Sequence, residues 1–326
     1  MALNGQCSFK SIKFLFHLVA TLPVVAGLAA IRLTSWNILA QDYVQCSKYP
    51  WIISPEFLNW EHRRERIVHQ LLDEEHLKPD VVCLQEVQVD LFPDLMLSLS
   101  STFDGILQNV TETHNVATAI LIRKDGPFRI KRAESRSRAL ISVLQDKSDS
   151  NSLLYLSTVH LDADKAWDRQ TREYHQRQRE NQLKSLLKRL NNQCHLDNKD
   201  LKDVPLVIAG DFNVLRNNPI NMALAKGELL PQLPIHLHDV YLEAEASYRP
   251  SRPTYPGHKH DNLGIHDLVK TYRGGAVLDY IYVSNQIQVV DTLLCHPSSH
   301  QVGQEKWPCQ DHPSDHLPVG IDFKWP

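Results

Sequence analysis

Short apolar runs that end, again and again, in a polar residue constrain this chain more than any other feature. Ile31–Ile38 closes on Ser35-Trp36-Asn37, Val81–Leu84 is followed by Gln85-Glu86, and Leu153–Val159 by His160. Val204–Ala209 leads into Gly210-Asp211-Phe212-Asn213, Val277–Val283 carries Asp279, and Asp315-His316 precedes the apolar end of the chain. Runs of this length and β-rich composition read as strands. Ala117–Arg123 and Ala139–Leu144 read the same way. Between them lie helical patterns. Trp60–Leu72 places Ile67, Val68, Leu71 and Leu72 on one face, Asp164–Leu190 does so with Leu183, Leu186, Leu187 and Leu190, and Asn218–Ala225 has the length of a short helix. Strands alternating with helices predict an α/β fold. Six strands that each deliver a carboxylate, amide or imidazole at one edge predict a convergent polar site.

The 326 residues suit one large domain, and 42% hydrophobic with 22% charged content sustains a packed core. The formal net charge of -3 sets this chain apart from proteins that hold long nucleic acid through overall basicity. Either the substrate is short, or the basic surface is local, or metal ions bring positive charge to the site. None of the six cysteines forms a C-x-x-C pair, so neither a zinc ribbon nor a dithiol redox motif is indicated. Residues 1–30 form an apolar leader. Lys10 and Lys13 precede the apolar stretch Phe14–Ile31, and small residues lie near its exit. That is the pattern of a signal peptide, anchor or transit segment, and it suggests a secretory, membrane or organellar location, with a cytoplasmic one as the alternative. Residues 31–326 form the expected single, monomeric domain, with residues 245–275 as a long loop rich in Pro, Gly, His and Tyr.

Each candidate site residue also has a plainer reading. Glu86 alone is a solvated carboxylate, and Asp211 and Asn213 alone shape a turn. Asp279 is harder to dismiss, because a carboxylate between Leu278 and Tyr280 in a strand is costly unless paired. Carboxylate and amide oxygens are hard ligands that suit Mg²⁺ or Mn²⁺ better than zinc. His258, His260, Asp261 and His266 fit no standard zinc spacing and read as loop. Two readings stay open for the basic cluster Arg123, Lys124, Arg129, Lys131, Arg132, Arg136 and Arg138: a phosphate-binding groove or a solvated hairpin. Lys165, Arg169, Arg172, Arg177 and Arg179 read as an exposed helix face. Tyr248, Tyr255 and Tyr272 in the long loop either stack on a base or pack locally.

The ordered set SWNILAQ, CLQEV, STVHL, GDFN, LDYIY and PSDHLPV resembles the motif series of the endonuclease/exonuclease/phosphatase (DNase I-like) superfamily. NILAQDYV, with Arg179, Gln182 and Leu186 at R-x-x-Q-x-x-x-L spacing, resembles the branch of carbon-catabolite-repression deadenylases, nocturnin and Angel proteins. The resemblance implies a four-layer α/β/β/α sandwich with two packed mixed β-sheets. It implies that Glu86 binds Mg²⁺ with help from Asn37 and Asp315. Asp211 then orients or deprotonates the attacking water, and Asn213 positions water or phosphate. His316 hydrogen-bonds a phosphate oxygen with its tautomer fixed by Asp279, and His160 stabilises charge on the phosphoryl group. Arg123, Arg138 and Tyr272 are the expected substrate contacts. Two segments depart from that branch: Val214–Pro219 after GDFN, and Thr271–Ala276 before LDYIY. Both would shape the substrate pocket, so the resemblance bears on metal chemistry more than on poly(A) preference. The expected activity is a Mg²⁺-dependent 3′–5′ exoribonuclease acting on RNA or a nucleotide-like phosphate ester. The alternatives are a phosphatase or phosphodiesterase for a nucleotide, inositol phosphate or sphingolipid head group, and an inactive binding module.

Overall fold

The structure, a computed structural model, describes residues 30–52, 54–73, 77–111, 114–163, 169–241, 277–294 and 307–325. The leader, Tyr272 and the other expectations placed on residues 242–276 lie outside the described residues. No helix among the described residues is long and apolar enough to cross a membrane.

Among the described residues, twelve strands form two six-stranded sheets. The first sheet has the order β11-β12-β1-β2-β4-β3. It is built from β1 (Ile31–Asn37), β2 (Val81–Gln88), β3 (Phe103–Leu107), β4 (Val116–Arg123), β11 (Gln288–Leu294) and β12 (Val319–Lys324). The second has the order β5-β6-β7-β8-β10-β9. Its strands are β5 (Phe128–Arg136), β6 (Ala139–Asp146), β7 (Leu153–His160), β8 (Leu206–Asp211), β9 (Leu237–Asp239) and β10 (Asp279–Ser284). Both sheets are mixed: β1–β2 and β7–β8 pair parallel, and their neighbours antiparallel.

Side-chain alternation explains the layering, because successive residues of a strand face opposite sides. Val81 and Cys83 of β2 join Leu154 and Leu156 of β7 and Val207 and Ala209 of β8 in a core between the sheets. Val82 and Leu84 face outward onto α1 (Trp60–Leu72) and α2 (Phe92–Leu99), through Ile67, Leu71, Leu95 and Leu99. Tyr155, Leu206 and Ile208 face the other way, onto Leu183, Leu186, Leu187 and Leu190 of α3 (Arg169–His195) and onto α4 (Pro219–Ala225). Three apolar interfaces separate four layers, as the resemblance implies.

The described start of α3 lies five residues beyond the predicted Asp164, and the helix runs five beyond Leu190. α4 begins where Asn218 caps it, its side-chain oxygen accepting from Ile220 N at 2.9 Å ahead of Pro219. The larger difference is in β2. The polar pair Gln85-Glu86 predicts an end at Leu84, yet the strand runs on to Gln88 through a register shift between Leu84 and Val87. Glu86 sits in this bulge with φ +54. A bulge inserts an extra residue and re-aims its side chain, which a polarity pattern reads as a strand end.

Candidate active site

The C-terminal ends of β1, β7 and β8 and the start of β10 meet at one rim of the sandwich. Across the second sheet the register pairs His160 with Asp211 and Asp211 with Asp279, so these three side chains start level. In the first sheet Asn37 pairs with Gln85, one residue before the bulged Glu86. Gly210 enables the junction on β8. Its φ is +143, and a Cβ there would lie 2.1 Å from the Val159 carbonyl oxygen, so no other residue fits.

Asn37 is fully buried and ties the two sheets together. Its Nδ2 donates to Glu86 Oε1 and to Asp211 Oδ2, each at 3.0 Å, while its Oδ1 accepts from Leu39 N at 3.0 Å. The amide therefore acts as an orienting bridge between two carboxylates, with its oxygen held by the backbone. Glu86 Oε2 accepts from Ala40 N at 3.1 Å. Asp211 Oδ1 accepts from Asn213 N at 2.8 Å, and Asn213, at φ +52, donates from Nδ2 to Leu161 O. Asn tolerates this left-handed conformation better than most residues.

His316 Nδ1 donates to Asp279 Oδ2 at 2.8 Å, the bond that fixes its ring. Its Nε2 lies 3.7 Å from Asp211 Oδ2, and His160 Nε2 lies 3.9 Å from the same oxygen and 3.6 Å from Glu86 Oε1. These separations are too long for hydrogen bonds and leave room for a reacting oxygen among the four groups.

The electrostatics divide the two histidines. Burial alone would lower His316, but Asp279 and Asp211 hold it well above 6.5, so it is an imidazolium. Burial lowers His160, with Arg138 and His316 adding to the effect, so it is neutral. Burial raises Asp211 to about 6, with Asp279 adding to the rise and His316 and His160 opposing it. Burial raises Glu86 too, with Asp315 next. Asp315 is thus a buried neighbour that adds negative charge beside Glu86.

Two groups of ligand atoms lie within 4.8 Å of one another: Glu86, His160 and Asp211, and Asp211, Asp279 and His316. In the second, His316 Nδ1 is engaged with Asp279 Oδ2, and the carboxylates around the ring favour its protonated form over a ligated one. The first fits a divalent cation. It combines two carboxylates with a neutral imidazole, and burial raises both carboxyls, with Asp315 adding to the rise at Glu86 and Asp279 at Asp211.

The substrate-contact expectations divide. Arg138 is at this rim: it flanks His160, whose N donates to Arg138 O at 3.0 Å, and its guanidinium pairs with Asp162. Arg123 is not. β4 runs antiparallel to β2, so Arg123 lies at the far end of the first sheet from Glu86. There its Nε donates to Pro79 O and its guanidinium stacks 5.0 Å over the Phe103 ring. The basic cluster spans the full length of β5, which separates its members.

One residue escaped sequence reasoning. Arg63 of α1 is fully buried. Its Nε donates to Pro313 O at 2.7 Å, Nη1 to Gln41 Oε1 at 2.8 Å, and Nη2 to Ile38 O at 2.5 Å and to Leu39 O. It clamps the loop after Asn37 to the loop that carries Asp315 and His316. Ser314 Oγ donates to Asn37 O at 2.6 Å, and Trp36 Nε1 to His316 O at 2.9 Å, which reinforces the same junction. The available signal was an arginine in register with Ile67 and Leu71 on the apolar face of α1.

Comparison with known proteins agrees with this geometry. The chain is 26% identical to nocturnin of Drosophila melanogaster over 90% of its own length and 46% of that protein's. It is 23% identical to 2′,5′-phosphodiesterase 12 of Mus musculus over 90% of its length and 52% of that protein's. The chain thus spans about half the length of these relatives. A crystal structure of ANGEL2, a 2′,3′-cyclic phosphatase, in complex with adenosine-2′,3′-vanadate superposes with a TM-score of 0.66 at 19% identity, covering 91% of this chain and 96% of that one; the likeness is one of fold. The model of the endonuclease/exonuclease/phosphatase family matches residues 34–316, from the first motif strand to His316, and the chain belongs to this family of phosphoric ester hydrolases.

Proposed function

We propose that the protein is a Mg²⁺-dependent 3′–5′ exoribonuclease. The observation that carries the reading is the meeting of Glu86, His160, Asp211 and His316 around one gap, with the two histidines in opposite charge states. Hydrolysis of a phosphodiester develops charge on the phosphoryl oxygens and needs a positioned water. Glu86 and Asp211, with His160 beside them, would hold the cation, which supplies Lewis-acid polarisation of a phosphoryl oxygen when bound. Asp211 also orients the attacking water and takes its proton, a task suited to a carboxyl raised towards neutrality. His316 donates from Nε2 to a phosphoryl oxygen while Asp279 holds its other nitrogen. Neutral His160, with its Nε2 given to the cation, adds no second fixed positive charge there. Asn213 fixes the Asp211 carboxylate through its N–H. Arg138, at the rim, meets the next phosphate of the strand.

The 2′,5′-phosphodiesterase relative and the resemblance to the deadenylase branch support RNA as the substrate class. The chain's net charge of -3 favours a second reading, hydrolysis of a small phosphate ester. Salt separates the two. For RNA held through several phosphates, kcat/KM falls steeply between ~50 and ~200 mM salt, with a slope of about -0.7 per contact in log–log form. A flat response, with turnover of a nucleotide or inositol phosphate, selects the small ester instead.

A further inference from the structure

α3 carries seven Lys and Arg against two Glu, in a chain whose net charge is -3. Its first half docks at the active-site rim: Gln182 Nε2 donates to Asp162 Oδ2 at 2.7 Å and Arg179 Nη1 to Asp162 O at 2.9 Å, two residues beyond His160. From there a line of cations runs along the seam between α3 and the edge strand β5. Arg138 pairs with Asp162 at the rim, and Arg136, the last residue of β5, reaches Ser185 with Nη2 at 3.4 Å. Beyond it a depression of about 400 Å³ opens, lined by Arg136, Ser185, Lys188, Arg189, Asn191 and Asn192, with Leu233 as its one apolar side chain.

The chemistry of this depression is that of an oxyanion site. Arg189 lies 3.6 Å from Glu134 and is partly compensated. Arg136 and Lys188 meet no carboxylate among the described residues, and the Arg136 Nε is buried without an acceptor. Three cations, a hydroxyl and two amides offer donors to phosphate oxygens in a wall with few acceptors. Three to ten residues of helix separate Gln182 from the lining residues of α3, a reach of ~5–15 Å at 1.5 Å per residue.

We propose that this depression binds backbone phosphates of the RNA strand whose 3′ end occupies the active site, upstream of the scissile bond. The proposal rests on the ribonuclease reading and sets the length of substrate that the enzyme senses. The oxyanion donors are sequence-neutral, so the track confers length preference without base preference.

The test compares the full chain with Lys188→Glu and, separately, Arg136→Gln, both remote from the catalytic groups. Binding of a fluorescein-labelled 12-nucleotide oligoadenylate is measured in EDTA across salt. Hydrolysis of the 12-mer and of the dinucleotide ApA is measured with Mg²⁺. The expected result is a roughly tenfold weaker 12-mer complex, a log–log salt slope smaller in magnitude by about 0.7 for each lost contact, and unchanged turnover of ApA. Wild-type hydrolysis of the 12-mer combined with wild-type affinity in both variants overturns the track and leaves the ribonuclease reading standing. An equal loss on 12-mer and ApA also overturns it, since the site itself would then be disturbed. Failure of the wild type to bind or cleave RNA removes the ribonuclease reading and the track together.

Discussion

His316 and His160 flank one oxygen of Asp211 and are held in opposite charge states, and the carboxylate that raises His316 most is Asp279. Asp279 touches His316 and not His160. Asp279→Asn should therefore lower kcat by about 10²–10⁴, the range of general acid–base assistance. It should also pull the alkaline limb of the pH–rate profile to lower pH, because losing Asp279 lets burial depress His316. A limb that stays in place would show that another group sets it. Glu86, His160, Asp211, Asn213, Asp279 and His316 were all legible as polar residues breaking apolar runs. Asn37 was legible as a participant, but its use as a donor bridge was not, because which face of an amide meets which partner is a tertiary fact. Arg123 misled because β4 runs antiparallel to β2, so its last residue lies beside the start of β2 and away from Glu86.

At the scale of elements, the site is a junction of two sheets, and its rigidity comes from what lies behind it. Arg63 takes three backbone carbonyls and the Gln41 side chain from loops on either side of the catalytic rim. Replacing it with Met orphans buried acceptors at ~1–3 kcal/mol each, so Arg63→Met should lose on the order of 3 kcal/mol in urea unfolding. Metal titration by calorimetry should show weaker binding as well, since the loop after Asn37 supplies the Ala40 N–H that holds Glu86. Destabilisation with unaltered metal affinity would make Arg63 a purely structural clamp. The apolar faces of α1 and α3 were readable because 3.6-residue periodicity survives on a surface helix. The continuation of β2 through Glu86 was not, because a bulge breaks the period-2 pattern at the residue whose chemistry it serves.

For the whole molecule, the order of layers follows from local alternation, but the pairing does not. β1 lies between β2 and β12, and Arg32 binds Asp322 across 290 residues of sequence at 2.8 Å, contacts that no local pattern encodes. Only the ordered motif series implied the architecture. The assembled rim concentrates carboxyls, and this has a consequence for stability. Asp211 and Glu86 are raised above their unfolded values of 3.8 and 4.5. The stability they contribute is present below those values and is lost as pH rises through the folded value of Asp211, about 6. Metal-free protein should thus lose thermal stability from pH 5 to 7.5, and the Tm gain from Mg²⁺ should grow over the same range and vanish in Glu86→Gln. A Mg²⁺ gain that is constant with pH, or that survives Glu86→Gln, would place the cation elsewhere.

The central claim is that these carboxylates and imidazoles hydrolyse RNA with the aid of a divalent metal. The most direct test is incubation of the full chain with a 5′-labelled oligoribonucleotide in Mg²⁺ and in EDTA, with Asp211→Ala alongside. The account predicts stepwise shortening from the 3′ end in Mg²⁺, none in EDTA, and a loss of at least ~10²-fold in the variant. Intact RNA in Mg²⁺ would contradict it, as would shortening that is indifferent to EDTA or to Asp211→Ala.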